Sequence, residues 1–208
     1  MLSLRRPTAK TIGEFLAAQA KLDFTYPTVG ATAASPPEGY TVNHTRIKLG
    51  EGEEVFSAAR AALGRWDQFR LGWVEACSPK GPIEAGDDVA LLARLLGLWW
   101  LNACRVVYVV DEEGPIRRFG FANGTLPDHG ATGEERFLIE WDRASGAVWY
   151  DILAFSRSHQ LLARLGSPYL RRIQERFGRE SAAAMARAVK FESARAMGLG
   201  SPGSGPVP

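Results

Sequence analysis

Between Gly72 and Phe155 the chain is a succession of short runs that alternate apolar and polar residues, cut by Gly, Pro, Asp and Ser. It then changes to a helical period. This change of period constrains the fold more than any other feature. A strand with a two-residue repeat buries one face and needs a cover, and a helix with an apolar stripe supplies one. Residues 73–77, 87–95, 105–110, 117–122, 135–141 and 147–155 read as strands. Phe137, Ile139 and Trp141 alternate on one face of the fifth. In the sixth, Trp149, Asp151, Leu153 and Phe155 alternate with Val148, Tyr150 and Ile152. The turns Asp111-Glu112-Glu113-Gly114 and Asp142-Arg143-Ala144-Ser145-Gly146 suit hairpins, so an antiparallel meander is predicted.

Helical spacing appears on both sides of the meander. Residues 8–22 carry Ile12, Phe15 and Leu16, and residues 53–71 repeat Phe56, Ala59, Leu63 and Trp66 every three or four positions. After the meander, Leu161, Leu162, Leu165, Tyr169, Leu170, Ile173 and Phe177 form a stripe. Arg171, Arg172, Arg176 and Arg179 are read as its solvated face. Pro168 should kink this helix or stand in the first turn of a second segment. Residues 40–49 are a first strand. The expected fold is α+β: a curved antiparallel sheet of about six or seven strands wrapped on a long C-terminal helix, with an N-terminal helical arm. Residues 1–38 are assigned to the arm and its loop, and residues 39–192 to the α+β domain. Residues 193–208 form a Gly/Pro tail expected to be disordered. An incompletely closed sheet around one helix leaves space between them, where a pocket would form.

Composition narrows the function classes. Twenty-five basic against 23 acidic residues give a net charge of +2, with the basic residues scattered, so no nucleic-acid partner is expected. Cys77 and Cys104 make no disulfide framework and are expected to be reduced thiols in a cytoplasmic setting. The first ten residues lack an apolar signal region. The most apolar window, residues 89–101, is interrupted by Arg94 and is too short to span a bilayer, so it is read as a buried element. The three histidines lack metal-ligand spacing, and no nucleotide-binding glycine motif or nucleophile elbow is present. Neither a metal nor a cofactor is expected.

The densest polar group is Asn123, Thr125, Asp128, His129, Glu134 and Glu135, read as one loop between two strands. His129 is the candidate general base, with Asp128 or Glu134 to orient it and Arg105 as a further acid-base candidate. The competing reading, which is preferred, is a solvated hairpin loop shaped by Pro127 and Gly130. His44 reads as a surface residue beside Arg46, and His159 as a helix-cap or surface residue. Gly120 and Gly124 read as bulge or turn glycines. Arg105 and Asp151 lie mid-strand among apolar neighbours. They either meet as a buried pair or face outward, and the outward case is preferred. Trp99, Tyr108, Asn123, Trp141, Tyr150 and Phe155 are the candidate lining of a pocket for a flat apolar ligand, against the alternative that the aromatics simply fill the core.

Several stretches together resemble a bacterial and plant family, domain of unknown function 1990. They are Phe24-Thr25-Tyr26-Pro27 with Val29-Gly30-Ala31-Thr32, then Cys104-Arg105-Val106-Val107-Tyr108-Val109-Val110, then Gly120-Phe121-Ala122-Asn123-Gly124-Thr125-Leu126-Pro127. Gly133-Glu134-Glu135-Arg136-Phe137 and Phe155-Ser156-Arg157 complete the set. The resemblance covers roughly residues 5–190. Asn123 departs from the aromatic expected there. The element order is similar to the helix-grip superfamily of START domains, birch-pollen-allergen relatives and polyketide cyclases. That implies an apolar small molecule held between sheet and helix, and some members are enzymes. Three functions follow as expectations: a binding module for an apolar or aromatic small molecule, an enzyme of cyclase, hydrolase or lyase type using the same cavity, or a homodimeric structural protein.

Overall fold

The computed structural model describes residues 1–77, 81–158 and 167–196. The elements are β1 (Leu2–Ser3), α1 (Ala9–Gln19), β2 (Thr41–Glu51), α2 (Glu53–Gly64), β3 (Val74–Cys77), β4 (Asp88–Leu95), β5 (Leu98–Glu112), β6 (Ile116–Thr125), β7 (Ala131–Asp142), β8 (Ala147–Ser158) and α3 (Ser167–Ala196). Short 3-10 turns lie at Ala31–Ala33 and Asp67–Phe69. The main path of the curled sheet runs β2-β8-β7-β6-β5-β4-β3, with β1 added alongside β5. Each pairing in it is antiparallel. The predicted meander is β3 to β8, and β2 closes against the far edge of β8.

The two faces of the sheet have different covers. The concave face carries Val89, Val106, Phe121, Phe137, Ile139 and Ile152 under α2 and α3, and these form the larger core. The convex face carries Ala90, Leu92, Leu101 and Ala103, which pack beneath Phe15 of α1. Helix α1 starts at Ala9 because the Thr8 side chain accepts the Thr11 N–H at 3.2 Å. Pro168 stands in the first turn of α3, where it removes no helical hydrogen bond. No helix among the described residues is long and apolar enough to cross a membrane.

Several local expectations need correction. The apolar window 89–101 is not one element but a tight hairpin between β4 and β5. Leu96 and Gly97 form its tip, both at positive φ, as the favoured two-residue turns require. The helix predicted over 53–71 ends at Gly64 and yields to the 3-10 turn. The polar stretch 123–135 is not a loop, because Asn123 and Thr125 belong to β6 and Glu134 and Glu135 to β7. The ladder pairs Asn123 with Glu135 and Gly124 with Glu134, so the connection shrinks to residues 126–130. The stripe residues Leu161, Leu162 and Leu165, together with His159, Ser78 and residues 197–208 of the tail, lie outside the described residues, whereas residues 193–196, assigned to the tail, belong to α3.

Gly120 and Gly124 are neither turn nor bulge residues. Both sit in regular ladder positions, while the register break lies on β5 between Val106 and Tyr108. Their reason is close approach. A Cβ at Gly120 would meet the Phe137 carbonyl, and one at Gly124 would meet the Tyr26 hydroxyl and lie 2.7 Å from the Phe24 ring. Gly124→Ala is therefore expected to push residues 24–26 off the sheet and cost about 1–3 kcal/mol, the usual range for overpacking. Urea unfolding checks this, and an unchanged midpoint would show that the arm does not press on Gly124.

Candidate functional site

A cavity of about 950 Å³ lies between the concave face and the first half of α3. Leu91, Ala93, Trp100 and Ile152 form its sheet wall, with Phe177 and Ile173 on the helix side. It stays open because small side chains, Ala93, Ala131 and Ala154, stand where larger ones would fill the space.

The strand periodicity places polar groups in this apolar wall. A row of cross-strand neighbours runs Val106, Asn123, Glu135, Ala154, Asn43 over β5, β6, β7, β8 and β2. Asn123 is 5% exposed, and both atoms of its amide lack a hydrogen-bond partner. Glu135, directly opposite, borders the cavity and is half-buried in its wall. It has no hydrogen-bond partner among the described residues. Burial pushes its pKa up to about 8, so at neutral pH it is mainly a neutral carboxylic acid. The indole nitrogen of Trp100, further along the wall, is also buried without a partner.

Of the acid-base candidates, His129 borders the cavity. It sits in the β6–β7 turn, with its Nδ1 3.0 Å from the Ala131 N–H. The other three hold the N-terminal arm with their side chains, although Glu134 also borders the cavity. Asp128 accepts from Gln19 Nε2 at 2.8 Å. Glu134 accepts from the Tyr26 hydroxyl at 2.7 Å, the Gly30 N–H at 2.7 Å and the Thr32 N–H at 2.9 Å, and from the Thr32 hydroxyl. Arg105 pairs with Asp88 at 2.7 Å and donates to the carbonyls of Gln19, Ala20 and Leu22 at the end of α1. A cation there satisfies helix-end carbonyls. The side chains of His129, Asp128, Glu134 and Arg105 therefore do not converge: Glu134 and Arg105 point to the convex face of their strands, and Asp128 in the turn is drawn to Gln19.

The aromatic candidates divide in the same manner. Trp99 lies on the convex face with Arg6 and Arg94 each 5.6 Å from its ring. Tyr108 is also convex and shares a 2.7 Å hydrogen bond with Thr32. Trp141 is on the concave side but packs 6.0 Å from Phe56 beneath α2. Tyr150 is buried, with its hydroxyl 3.0 Å from that of Ser181. Phe155 borders the cavity, while its ring packs edge-on against Tyr26 and Tyr40. Thus Asn123 and Phe155 adjoin the open volume, and Trp99, Tyr108, Trp141 and Tyr150 pack elsewhere.

Asp151 and Arg105 do not form a pair. Asp151 is buried on the convex side, where His44 reaches it at 2.7 Å, Arg136 at 2.9 Å and Arg46 at 3.1 Å. Burial would raise its pKa, but the hydrogen bonds from His44, Arg136 and Arg46 outweigh that and hold it below the usual range. His44 is thus an exposed residue, as expected, that also partners Asp151.

The sequence contains a signal for Glu135. It opens the strand read over 135–141 and has the same parity as Phe137, Ile139 and Trp141, which places it on the core face. Nothing in the local pattern marks Phe69, Trp73 or Phe177 as cavity residues, since each comes from a different distant element.

Comparison with known proteins fits this architecture. The UPF0548 protein of Dictyostelium discoideum is 35% identical over 91% of this chain and 96% of its own. The UPF0548 protein of Deinococcus radiodurans is 37% identical over 90% and 98%. Relatives therefore extend beyond bacteria and plants. Among solved structures, a hypothetical protein from Helicobacter pylori superimposes with a TM-score of 0.52 at 10% identity, covering 79% of this chain and 95% of that one, a likeness of fold. The sequence profile of the domain of unknown function DUF1990 matches residues 25–184, and the chain belongs to that family.

Proposed function

We propose that this protein binds an apolar small molecule in the cavity between the sheet and α3. The supporting observation is the open, mainly apolar volume of about 950 Å³. A space of this size suits a ligand and is much larger than the voids a packed core tolerates. Native mass spectrometry of freshly purified protein, followed by denaturing extraction, tests the reading. A reproducible extra mass is expected, and it should disappear in Ala154→Trp, which fills the cavity from β8. A bare mass in the wild type, together with no thermal shift from apolar probes, would overturn it. A second reading, catalysis in the same cavity, is favoured by one feature. Glu135 is a carboxylic acid held protonated near neutral pH, the property required of a general acid.

A further inference from the structure

We propose that Asn123 and Glu135 are the polar anchor of this cavity and that they select a ligand whose polar end is a neutral carbonyl or hydroxyl group rather than a charged one. This inference rests on the cavity being a ligand site. The geometry is a pair of adjacent polar side chains in the middle of a mainly apolar wall, with Asn43, Asn102 and Thr125 elsewhere on the lining. Asn123 and Glu135 are direct cross-strand neighbours, flanked in the same row by Val106 and Ala154. Directly opposed residues in such a ladder lie about 5 Å apart, so one ligand group can reach both.

The Asn123 amide presents two N–H bonds and an acceptor oxygen, all unpartnered within the protein. Native structures seldom leave a buried amide wholly unpaired, because each orphaned group costs stability. A bound carbonyl or hydroxyl would satisfy it. The Glu135 carboxyl adds one donor and one acceptor when protonated, and burial favours that form at neutral pH. An ammonium group could pair with an ionised Glu135, yet it would leave the Asn123 N–H bonds unanswered. A carboxylate would place a second acid against the first in an apolar wall.

The ionisable groups on the elements around Glu135 are Cys104 on β5, Tyr150 on β8, Glu134 beside it on β7, His44 on β2, His129 in the β6–β7 turn, and Glu175 and Arg179 on α3. All are retained in Glu135→Gln, so that variant isolates the contribution of Glu135. Gln keeps a donor and an acceptor at every pH.

Calorimetric titration with four probes provides the test: naphthalene, 2-acetonaphthone, 2-naphthylmethylamine and 2-naphthoic acid, each at pH 6.5 and pH 9.5. At pH 6.5 the ketone is expected to bind about tenfold more tightly than naphthalene, the return for hydrogen-bonding to an otherwise unpaired buried group. The preference should largely vanish at pH 9.5 in the wild type, where Glu135 has lost its proton. It should persist at both pH values in Glu135→Gln and fall to about threefold or less in Asn123→Leu. Equal affinity for ketone and naphthalene at pH 6.5, or tightest binding of the amine or the acid, would overturn the anchor while leaving the cavity reading intact. If none of the four binds, naphthalene included, the cavity reading fails and the anchor fails with it.

Discussion

Glu134→Ala is expected to destabilise the fold by about 3–5 kcal/mol, since it orphans several buried neutral donors at about 1–3 kcal/mol each before relaxation. The carboxylate is 3% exposed and receives the Tyr26 hydroxyl, the N–H groups of Gly30 and Thr32, and the Thr32 hydroxyl. Its loss leaves the Tyr26 hydroxyl and the N–H groups of Gly30 and Thr32 without that acceptor, while the Thr32 hydroxyl keeps Tyr108 as a partner. The orphaned donors would have to leave the sheet to find water, and Tyr26 would surrender its edge-on contact with Phe155. The damage should therefore begin in the arm. Hydrogen exchange should show early loss of protection at residues 24–34, and urea unfolding should show the lowered midpoint. Glu134→Gln keeps one acceptor oxygen but turns an NH2 toward donors, so an intermediate loss is expected. A change below about 1 kcal/mol, or unaltered exchange in residues 24–34, would show that Glu134 does not hold the arm.

The neighbouring residue should produce the opposite effect. The Glu135 carboxyl has an ordinary value of 4.5 and is pushed up to about 8 by burial in the fold. Between those values the folded protein retains a proton that the unfolded chain has released. Stability is therefore greatest on the acid side of this window, falls as pH rises from about 4.5 to about 8, and levels off above it. At about 1.4 kcal/mol per pH unit the full span corresponds to roughly 5 kcal/mol. Water entering an open cavity weakens the desolvation, and about 2–3 kcal/mol is the expected loss. Glu135→Gln should flatten the profile and raise stability near pH 8.5 by that amount. Between pH 5.5 and 8.5 the difference between the wild type and Glu135→Gln isolates this group, because the histidines are common to both proteins. Asp151 and Glu140, held below their usual values, act at lower pH. Cys104 and Tyr150, raised by burial, act at higher pH. Parallel profiles for the wild type and Glu135→Gln would show that Glu135 is not buried as a neutral acid.

Much of the architecture could be read from residue order, because strand and helix periods are local properties. The alternation of Phe137, Ile139 and Trp141 marks β7, and the Ile173 and Phe177 spacing marks α3. The site was only partly readable. Glu134 and Glu135 are chemically identical neighbours, and one residue of parity sends the first to the arm and the second to the cavity. Tyr108 shows how parity can mislead. Counting by twos from Val106 puts it on the concave face, but the register break between them turns it outward to Thr32. Trp99 lies away from the pocket for a different reason: α1 and arginine side chains give the convex face a cover of its own, so strand aromatics serve both faces.

By itself the sequence determined the element types, the antiparallel meander and the need for a helical cover, since these follow from turn residues and hydrophobic period over a few consecutive positions. Tertiary structure alone decided which face each strand residue serves, that Glu134, Asp128 and Arg105 hold the arm, and that a volume remains open beside Asn123 and Glu135. The reason is physical: cover and cavity depend on how the volumes of Ala154, Trp73 and Phe177 meet across elements far apart in the chain, and no local pattern records that sum.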